Sequence, residues 1–323
     1  MSKKDNSLHD IDVVIIGGGP AGLSAALSLG RARRRVIVVD AGKPRNAPAA
    51  HMHGVLGHDG LSPSRLLELG RDEIARYGVR IISETASAVR VRDAVIEVDT
   101  ADGTIRTRRL LVATGLVDEL ANIPGMQQQW GNGVVMCPYC DGWEHRNDVI
   151  GVVATSPESV EQAQTMRQWS DRVIYFPNAI GEPPGEAADA LALRGIQVEL
   201  GIVTGLRIKE KRIVGVDVAG RLIPVGVVFT GTIPRPQDGL LHSLGATTKD
   251  GPLGPWVVID DDGRTSVPGV WAVGNVVDVR ANVSVCLGLG SLVAGAINKD
   301  LVIDDIARLR TQAKSRDKKE VAS

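Results

Sequence analysis

The 323-residue chain is poor in aromatic side chains, which make up 3% of it. Its cores must therefore be built from Val, Leu, Ile and Ala, a composition that suits buried parallel α/β layers. Cysteine is scarcer still: three residues exclude a structural disulfide framework and fit a reducing compartment in which a paired thiol is catalytic. Neither sign of charge is in excess, with 37 basic against 38 acidic residues, so no overall field draws nucleic acid or an anionic membrane. No apolar run approaches the ~20 residues of a membrane span. Met1 to Asp10 is polar and lacks the apolar segment of a secretory signal. Together these absences predict a cytoplasmic protein with no nucleic-acid or membrane partner. Glycine, by contrast, is abundant at 37 residues, and the length suggests two domains.

Two of the cysteines stand close together in Cys137-Pro138-Tyr139-Cys140-Asp141-Gly142. Thiols separated by two residues can close a small disulfide or open to a dithiol, and so hold two electrons. Pro138 presets a first helical turn, and a thiol at a helix N-terminus sees unpaired N–H groups that favour its thiolate. The competing reading is half of a zinc site. Zinc wants four ligands, whereas Cys286 lies far off and no His-x3-5-His accompanies the pair, so the redox reading is preferred and no metal is expected. Cys286 itself reads as a buried small hydrophobe.

The N-terminal stretch holds an apolar run, Asp12 to Ile16, then Gly17-Gly18-Gly19-Pro20-Ala21-Gly22, then the helix former Leu23 to Leu29. This is strand, turn, helix. Gly17 permits the tight turn, Gly19 lets a pyrophosphate approach the backbone, and Gly22 lets helix and strand pack, while Pro20 and Ala21 open a helix whose N-terminus favours negative charge. A second strand, Arg35 to Val39, ends at Asp40, 18 residues beyond Gly22, where a carboxylate is placed for ribose hydroxyls. Arg31, Arg33, Arg34 and Arg35 read as a solvated helix end. His51, His53 and His58 invite a metal reading, but no acidic or thiol partner stands at ligand spacing, and they are expected to donate hydrogen bonds beside a cofactor. Further strands follow, the last ending in Ala113-Thr114-Gly115, where small residues again allow close backbone approach.

In their order and spacing, Gly17 to Gly22, Ala113-Thr114-Gly115, Cys137 to Gly142, and Val270-Trp271-Ala272-Val273-Gly274-Asn275 resemble the motifs of low-molecular-weight thioredoxin reductases over roughly Asp12 to Leu301. The resemblance implies an α/β fold with two nucleotide-binding, Rossmann-like three-layer domains and, usually, a homodimer. An FAD domain, residues 1–118 and 241–323, would be interrupted by a central dithiol-bearing domain, 119–240. It also implies that FAD is held by Gly17, Gly19, Pro20, Ala21, Gly22, Asp40, Ala113, Gly115, Gly274, Asn275, Asn282 and Val283. Asn275 stands where the family usually has aspartate, and can still accept through its carbonyl. Asn282 and Val283 would begin a helix whose N-terminus faces the pyrimidine side of the flavin.

In that family the central domain binds NADPH through a second glycine turn. Here the turn reads Ala154-Thr155-Ser156-Pro157, without glycine, and Pro157 has no N–H to offer a phosphate. The next strand ends in Pro177-Asn178-Ala179-Ile180, with neither an acid for a ribose hydroxyl nor an arginine cluster for a 2′-phosphate. The expectation is a domain that has kept its fold and lost its nicotinamide. Electrons would then enter from a small or protein dithiol, as in the flavin-dependent oxidases of gliotoxin and holomycin type, which have histidine where Asp141 stands. A substrate thiolate would attack Cys137. Cys140, by resemblance the flavin-proximal thiol, would pass the electrons on to FAD and dioxygen, giving peroxide. Asp141 is the nearest acid/base group if burial raises its pKa, or else a helix cap. Disulfide reductases driven by NADPH or by reduced ferredoxin, and a non-catalytic flavin redox sensor, are the rival readings.

Overall fold

Apolar side chains divide between two cores along the strand Ile11–Ile16: Val13 and Ile15 face one core, Val14 and Ile16 the other. A strand buried on both faces belongs inside a layered sheet. The computed structural model describes residues 11–92 and 95–320, and in it this strand lies between Val36–Val39 and Gly103–Val112, parallel to both. The sheet has seven strands. Arg80–Ile82 flanks Val36–Val39, Val95–Thr100 and Ala88–Arg92 extend the other side as an antiparallel pair, and Val270–Ala272 returns late in the chain to lie beside Leu110 to Val112.

The helices Pro20–Arg31 and Val283–Glu320 cover one face of this sheet, with Leu23, Ala26, Leu29, Ala294, Ile297 and Leu301 in the shared core. The closing helix runs for 38 residues, through Arg308 to Glu320. One stretch of it has a mean hydropathy of 1.4, enough by length and composition to cross a bilayer, which corrects the expectation that no such run exists. A third of that stretch is buried. One side packs into the core, and another is clamped by Arg108 to Asp304, Arg109 to Asp300 and Arg34 to Asp305. Arg34 is thus an ion-pair partner of the closing helix, not a solvated helix end.

The chain divides by its internal contacts into two units. One takes the described residues of Met1–Pro44, Ser64–Val117 and Pro236–Ser323, and the other takes Arg45–Pro63 and Asp118–Arg235. The second unit has its own five-stranded parallel sheet, ordered Gln197–Val198, Val173–Phe176, Ile150–Val153, Val227–Thr230, Val134–Val135. Val153, Phe176 and Val228 point to an antiparallel sheet of Val203–Lys209, Arg212–Val218 and Arg221–Ile223. Val152, Tyr175, Val227 and Phe229 point to the opposite core, with Ala163, Met166 and Leu191. The period of two makes a middle layer buried on both faces.

The unit boundaries differ from the sequence reading in one informative place. Residues 45–63 fall by that reading in the first domain but pack with the second. Arg45 reaches Asp118 through two hydrogen bonds of 2.7 and 2.8 Å, and Asp118 also accepts from the Thr232 hydroxyl at 2.7 Å. Such a fork between largely buried partners fixes direction as well as position. The return crossing falls at 235/236, five residues before the expected 240/241.

Candidate active site

Gly17 sits at φ +108°, and a Cβ added there would strike the Ala113 carbonyl, so only glycine makes this turn. Gly22 is equally constrained, because a Cβ would collide with the Gly17 carbonyl oxygen. Gly18, which sequence reasoning passed over, donates its N–H to Asp40 Oδ1 at 3.1 Å and has no room for a side chain against that carboxylate. Asp40 Oδ2 in turn lies 3.3 Å from Arg71. Gly19 is different: nothing lies within 4 Å of where its Cβ would be. It precedes the 12-residue helix Pro20–Arg31, whose N-terminus has no side-chain cap and no acidic residue in its first turn. An uncapped helix end with open space before it and positive dipole behind it fits a pyrophosphate.

Later in the same unit Gly274, at φ +78°, turns the chain after Val270–Ala272. The Asn275 amide donates to the carbonyls of Asp278 and Ala281, each at 2.9 Å, so asparagine ties this loop in a way a carboxylate cannot. Asn282 Oδ1 accepts the Val285 N–H at 3.0 Å and caps the closing helix. Cys286, on the first turn, is buried, with Sγ 3.5 Å from the Ala281 carbonyl.

The second unit repeats strand, turn, helix with Ile150–Val153 and Ser159–Met166. Its turn is closed by the chain's own side chains. The buried Ser159 hydroxyl accepts the N–H groups of Thr155 and Ser156 at 3.1 and 3.3 Å. The Glu158 carboxyl is held below its usual range by the Ser156 hydroxyl and its own backbone N–H. Donors that an open turn would offer to a phosphate are thereby engaged, and a carboxylate stands among them. Thr155 Oγ1 also lies close to where a Gly231 side chain would be. Beyond the strand Val173–Phe176, Asn178 adopts φ +50° and accepts the Val203 N–H at 3.0 Å.

The dithiol lies on the connection between Val134–Val135 and Ile150–Val153. Cys137 and Cys140 are joined in a disulfide with Cα atoms 5.3 Å apart, and both are half-buried. The helix they open, Pro138–Asp141, is a single turn, so its dipole does little for a thiolate. Gly142 ends it where a Cβ would meet Pro138 O and the Trp169 ring. Tyr139 stacks edge-on against Trp169 at 5.4 Å yet is 79% exposed, and Trp143 is 64% exposed beneath the Arg146 guanidinium. Burial pushes the Asp141 carboxyl up to about 6. His145 and His53 pull it down and Glu144 pushes it up, and no backbone N–H is among the groups acting on it. The reading of Asp141 as a helix cap therefore gains no support, and the turn carries no side-chain cap.

The histidines are arranged differently from the sequence reading. His51 Nδ1 lies 3.1 Å from the Gly60 carbonyl. His53 does have acidic neighbours, Asp59 at Nδ1 and Glu144 at Nε2, each at 3.4 Å. Even so, no group of three or more His, Cys, Asp or Glu able to hold a metal occurs among the described residues. No sequence signal tied residues 45–63 to the dithiol, because the tie is the Arg45–Asp118 fork across an irregular loop.

An open dinucleotide turn in one unit and a disulfide with an elevated carboxyl in the other define a nucleotide-dependent thiol–disulfide oxidoreductase. The chain belongs to the pyridine nucleotide-disulphide oxidoreductase family, whose model matches residues 11–290. It is 30% identical over 318 residues to the thioredoxin reductase tcpT of Claviceps purpurea, covering 91% of this chain and 95% of that protein. To a probable thioredoxin reductase of Arthroderma benhamiae it is 34% identical over 178 residues, 53% of this chain and 44% of that one. Among solved structures it resembles HlmI with a TM-score of 0.88 and 45% identity, over 94% of this chain and 97% of that one. The thioredoxin reductase-like members of the family are FAD-binding, and the first turn fits that cofactor.

Proposed function

We propose that the chain is an FAD-dependent dithiol oxidase, and that the observation carrying this reading is the closure of the second dinucleotide turn by Ser159 and Glu158. A chain with a redox disulfide and no place for a nicotinamide must take electrons from thiols or from another protein. In this reading a substrate thiol gives its proton to the Asp141 carboxylate, and the thiolate attacks Cys137 Sγ, breaking the Cys137–Cys140 bond and releasing Cys140 as thiolate. The second substrate thiol gives its proton to the Cys140 thiolate, attacks the substrate sulfur of the mixed disulfide and releases Cys137 as thiolate. The substrate loses two electrons and two protons, and the cysteine pair gains two electrons. With an elevated pKa, Asp141 can both take and return a proton near neutrality.

Gly17, Gly19, Pro20, Ala21 and Gly22 would hold the pyrophosphate and Asp40 the ribose end. Ala113, Gly115, Gly274, Asn275, Asn282 and Val283 would line the rest of the cofactor. FAD, when bound, supplies a two-electron sink that dioxygen can empty, with hydrogen peroxide as product. Anaerobic reduction of the holoenzyme, tried separately with NADPH, a small dithiol and reduced ferredoxin, tests the reading. It stands if the dithiol alone bleaches the flavin band and falls if NADPH does so rapidly.

The names of the relatives favour a second reading, a disulfide reductase of thioredoxin reductase type. It keeps the same dithiol and reverses the electron flow, so the same experiment separates the two.

A further inference from the structure

Four separate stretches of the dithiol-bearing unit converge on Met136, the residue before Cys137. From the helix Ser159–Met166, the Gln162 amide donates to the Met136 carbonyl at 2.8 Å. From near the end of the unit, the Thr232 hydroxyl donates to Asp118 Oδ1 at 2.7 Å and lies 3.5 Å from Met136 Sδ. Asp118 stands at the start of the second segment of the unit, with 5% of its side chain exposed, and Arg45 forks onto the same carboxylate. Both carboxylate oxygens are thus engaged, which gives the Thr232 hydroxyl a fixed acceptor and a fixed direction. None of these groups has a part in the steps above.

We propose that Gln162 and Thr232, the latter backed by Asp118 and Arg45, are positioning residues that hold the Cys137 end of the disulfide and so select Cys137 over Cys140 as the sulfur a thiolate attacks. The inference rests on the reading in which substrate enters at Cys137. Exchange needs the attacking sulfur to arrive along the line of the S–S bond, so the direction of that bond decides which sulfur is presented. The backbone at its two ends sets that direction. Within the turn, the Cys140 and Asp141 N–H groups donate to the Cys137 carbonyl, each at 3.2 Å, and the Gly142 N–H donates to the Pro138 carbonyl at 2.8 Å. These bonds tie the turn to Cys137, but none of them fixes Cys137 to the rest of the unit. Gln162 does so from the other side: the peptide is planar, so a held Met136 carbonyl fixes the plane in which the Cys137 nitrogen and Cα lie. The same helix starts at the closed turn, where Ser159 accepts the Thr155 and Ser156 N–H groups. Gln162, three residues further, lies on nearly the same side of that helix. A helix whose start is sealed against a phosphate is thereby put to holding the dithiol.

The test mixes the oxidised full-length holoenzyme with glutathione under argon. One glutathione thiolate attacks a cysteine sulfur, the Cys137–Cys140 bond breaks as the new S–S bond forms, and the other cysteine leaves as thiolate, so the electrons balance without a further reductant. Acid quenching within milliseconds and alkylation of the freed thiol preserve the product, and fragment-ion mass spectrometry reads which cysteine carries glutathione. The parent should carry it on Cys137. In Gln162→Leu and in Thr232→Val the rate at Cys137 should fall roughly tenfold and the share on Cys140 should rise, whereas Thr232→Ser, which keeps the hydroxyl, should give the parent ratio. Val216→Ala opens a cavity in the core on the opposite face of the sheet and measures general damage, which should change both rates together and leave their ratio in place. If the parent itself carries glutathione on Cys140, the entry of substrate at Cys137 fails and this inference with it. If the parent reacts at Cys137 and either Gln162→Leu or Thr232→Val keeps its ratio, or Val216→Ala shifts the ratio as far as they do, the inference alone is overturned.

Discussion

The Ser159 hydroxyl accepts the Thr155 N–H at 3.1 Å, and this contact fills the part of the second unit where an open turn would receive a phosphate. At the equivalent place in the first unit, Gly19 faces empty space. The two turns share a strand-turn-helix frame and differ in what meets the backbone donors. Anaerobic NADPH, at concentrations that saturate an ordinary reductase, is expected to leave the flavin spectrum unchanged. Isothermal titration should likewise give no heat of binding, and a saturable heat would reverse the assignment of this turn. Ser159→Ala removes the acceptor for two N–H groups, which should destabilise the protein by about 1–3 kcal/mol in denaturant unfolding.

If thiols are the electron source, aerobic dithiothreitol should drive steady oxygen consumption and peroxide release. The two single-cysteine variants should fail differently. Cys140→Ser leaves Cys137, the sulfur assigned to substrate attack, to accumulate a mixed disulfide when the protein is exposed to the oxidised form of the substrate, whereas Cys137→Ser removes that sulfur and should form less of it. Intact-mass spectrometry reads the adduct and oximetry reads the loss of turnover. Dissolved oxygen untouched by the wild-type holoenzyme would remove the oxidase reading.

What the sequence made legible is tied to residues that only one geometry tolerates. Gly17 at φ +108° and Gly22 against the Gly17 carbonyl leave a readable glycine spacing, and Pro138 between two cysteines does the same for the dithiol turn. The sheet strands were legible because both of their faces are apolar, as in Val36–Val39. Side-chain partnerships across long separations were not. The Arg45–Asp118 fork spans 73 residues, and nothing in the irregular stretch between Pro44 and Pro63 announces which unit it joins. The same holds for Arg34 with Asp305 and for His53 with Glu144. The missing glycine at 154–157 was visible, but its replacement by an internal acceptor, Ser159, and an internal anion, Glu158, was not. Both are polar residues at a helix start, where such residues are common for many reasons.

Asp141 carries a consequence for stability as well as for chemistry. Its carboxyl is raised by burial from an ordinary value of 3.8 to about 6, so the folded protein binds this proton more tightly than the unfolded chain does. The stability that the neutral form confers is fully present below about pH 4 and is lost progressively as the pH rises to about 6. Above that the folded state bears the cost of a partly buried carboxylate, on the order of 3 kcal/mol. Asp141→Asn should therefore raise the midpoint of unfolding at pH 7.5 and leave it nearly unchanged at pH 4. Equal effects at the two pH values would show that the carboxyl titrates normally.

Glycine-to-alanine changes at two positions of the first turn should part company, because their surroundings differ. Gly22→Ala drives a methyl group into the Gly17 carbonyl, backbone against backbone, where no side chain can move aside. The strand and the helix Pro20–Arg31 must separate, so unfolding should become easier by several kcal/mol, with flavin lost as a result. Gly19→Ala meets no protein atom within 4 Å, and Gly19 has φ −75° and ψ −174°, which alanine adopts freely. Without cofactor, the Gly19→Ala protein should therefore be as stable as the parent, while flavin retained through purification falls sharply, because the methyl group enters the space assigned to the pyrophosphate. Thermal unfolding of the apoprotein and the flavin-to-protein absorbance ratio measure the two effects separately. A Gly19→Ala protein that retains its full complement of FAD would mean that the pyrophosphate does not lie against this turn.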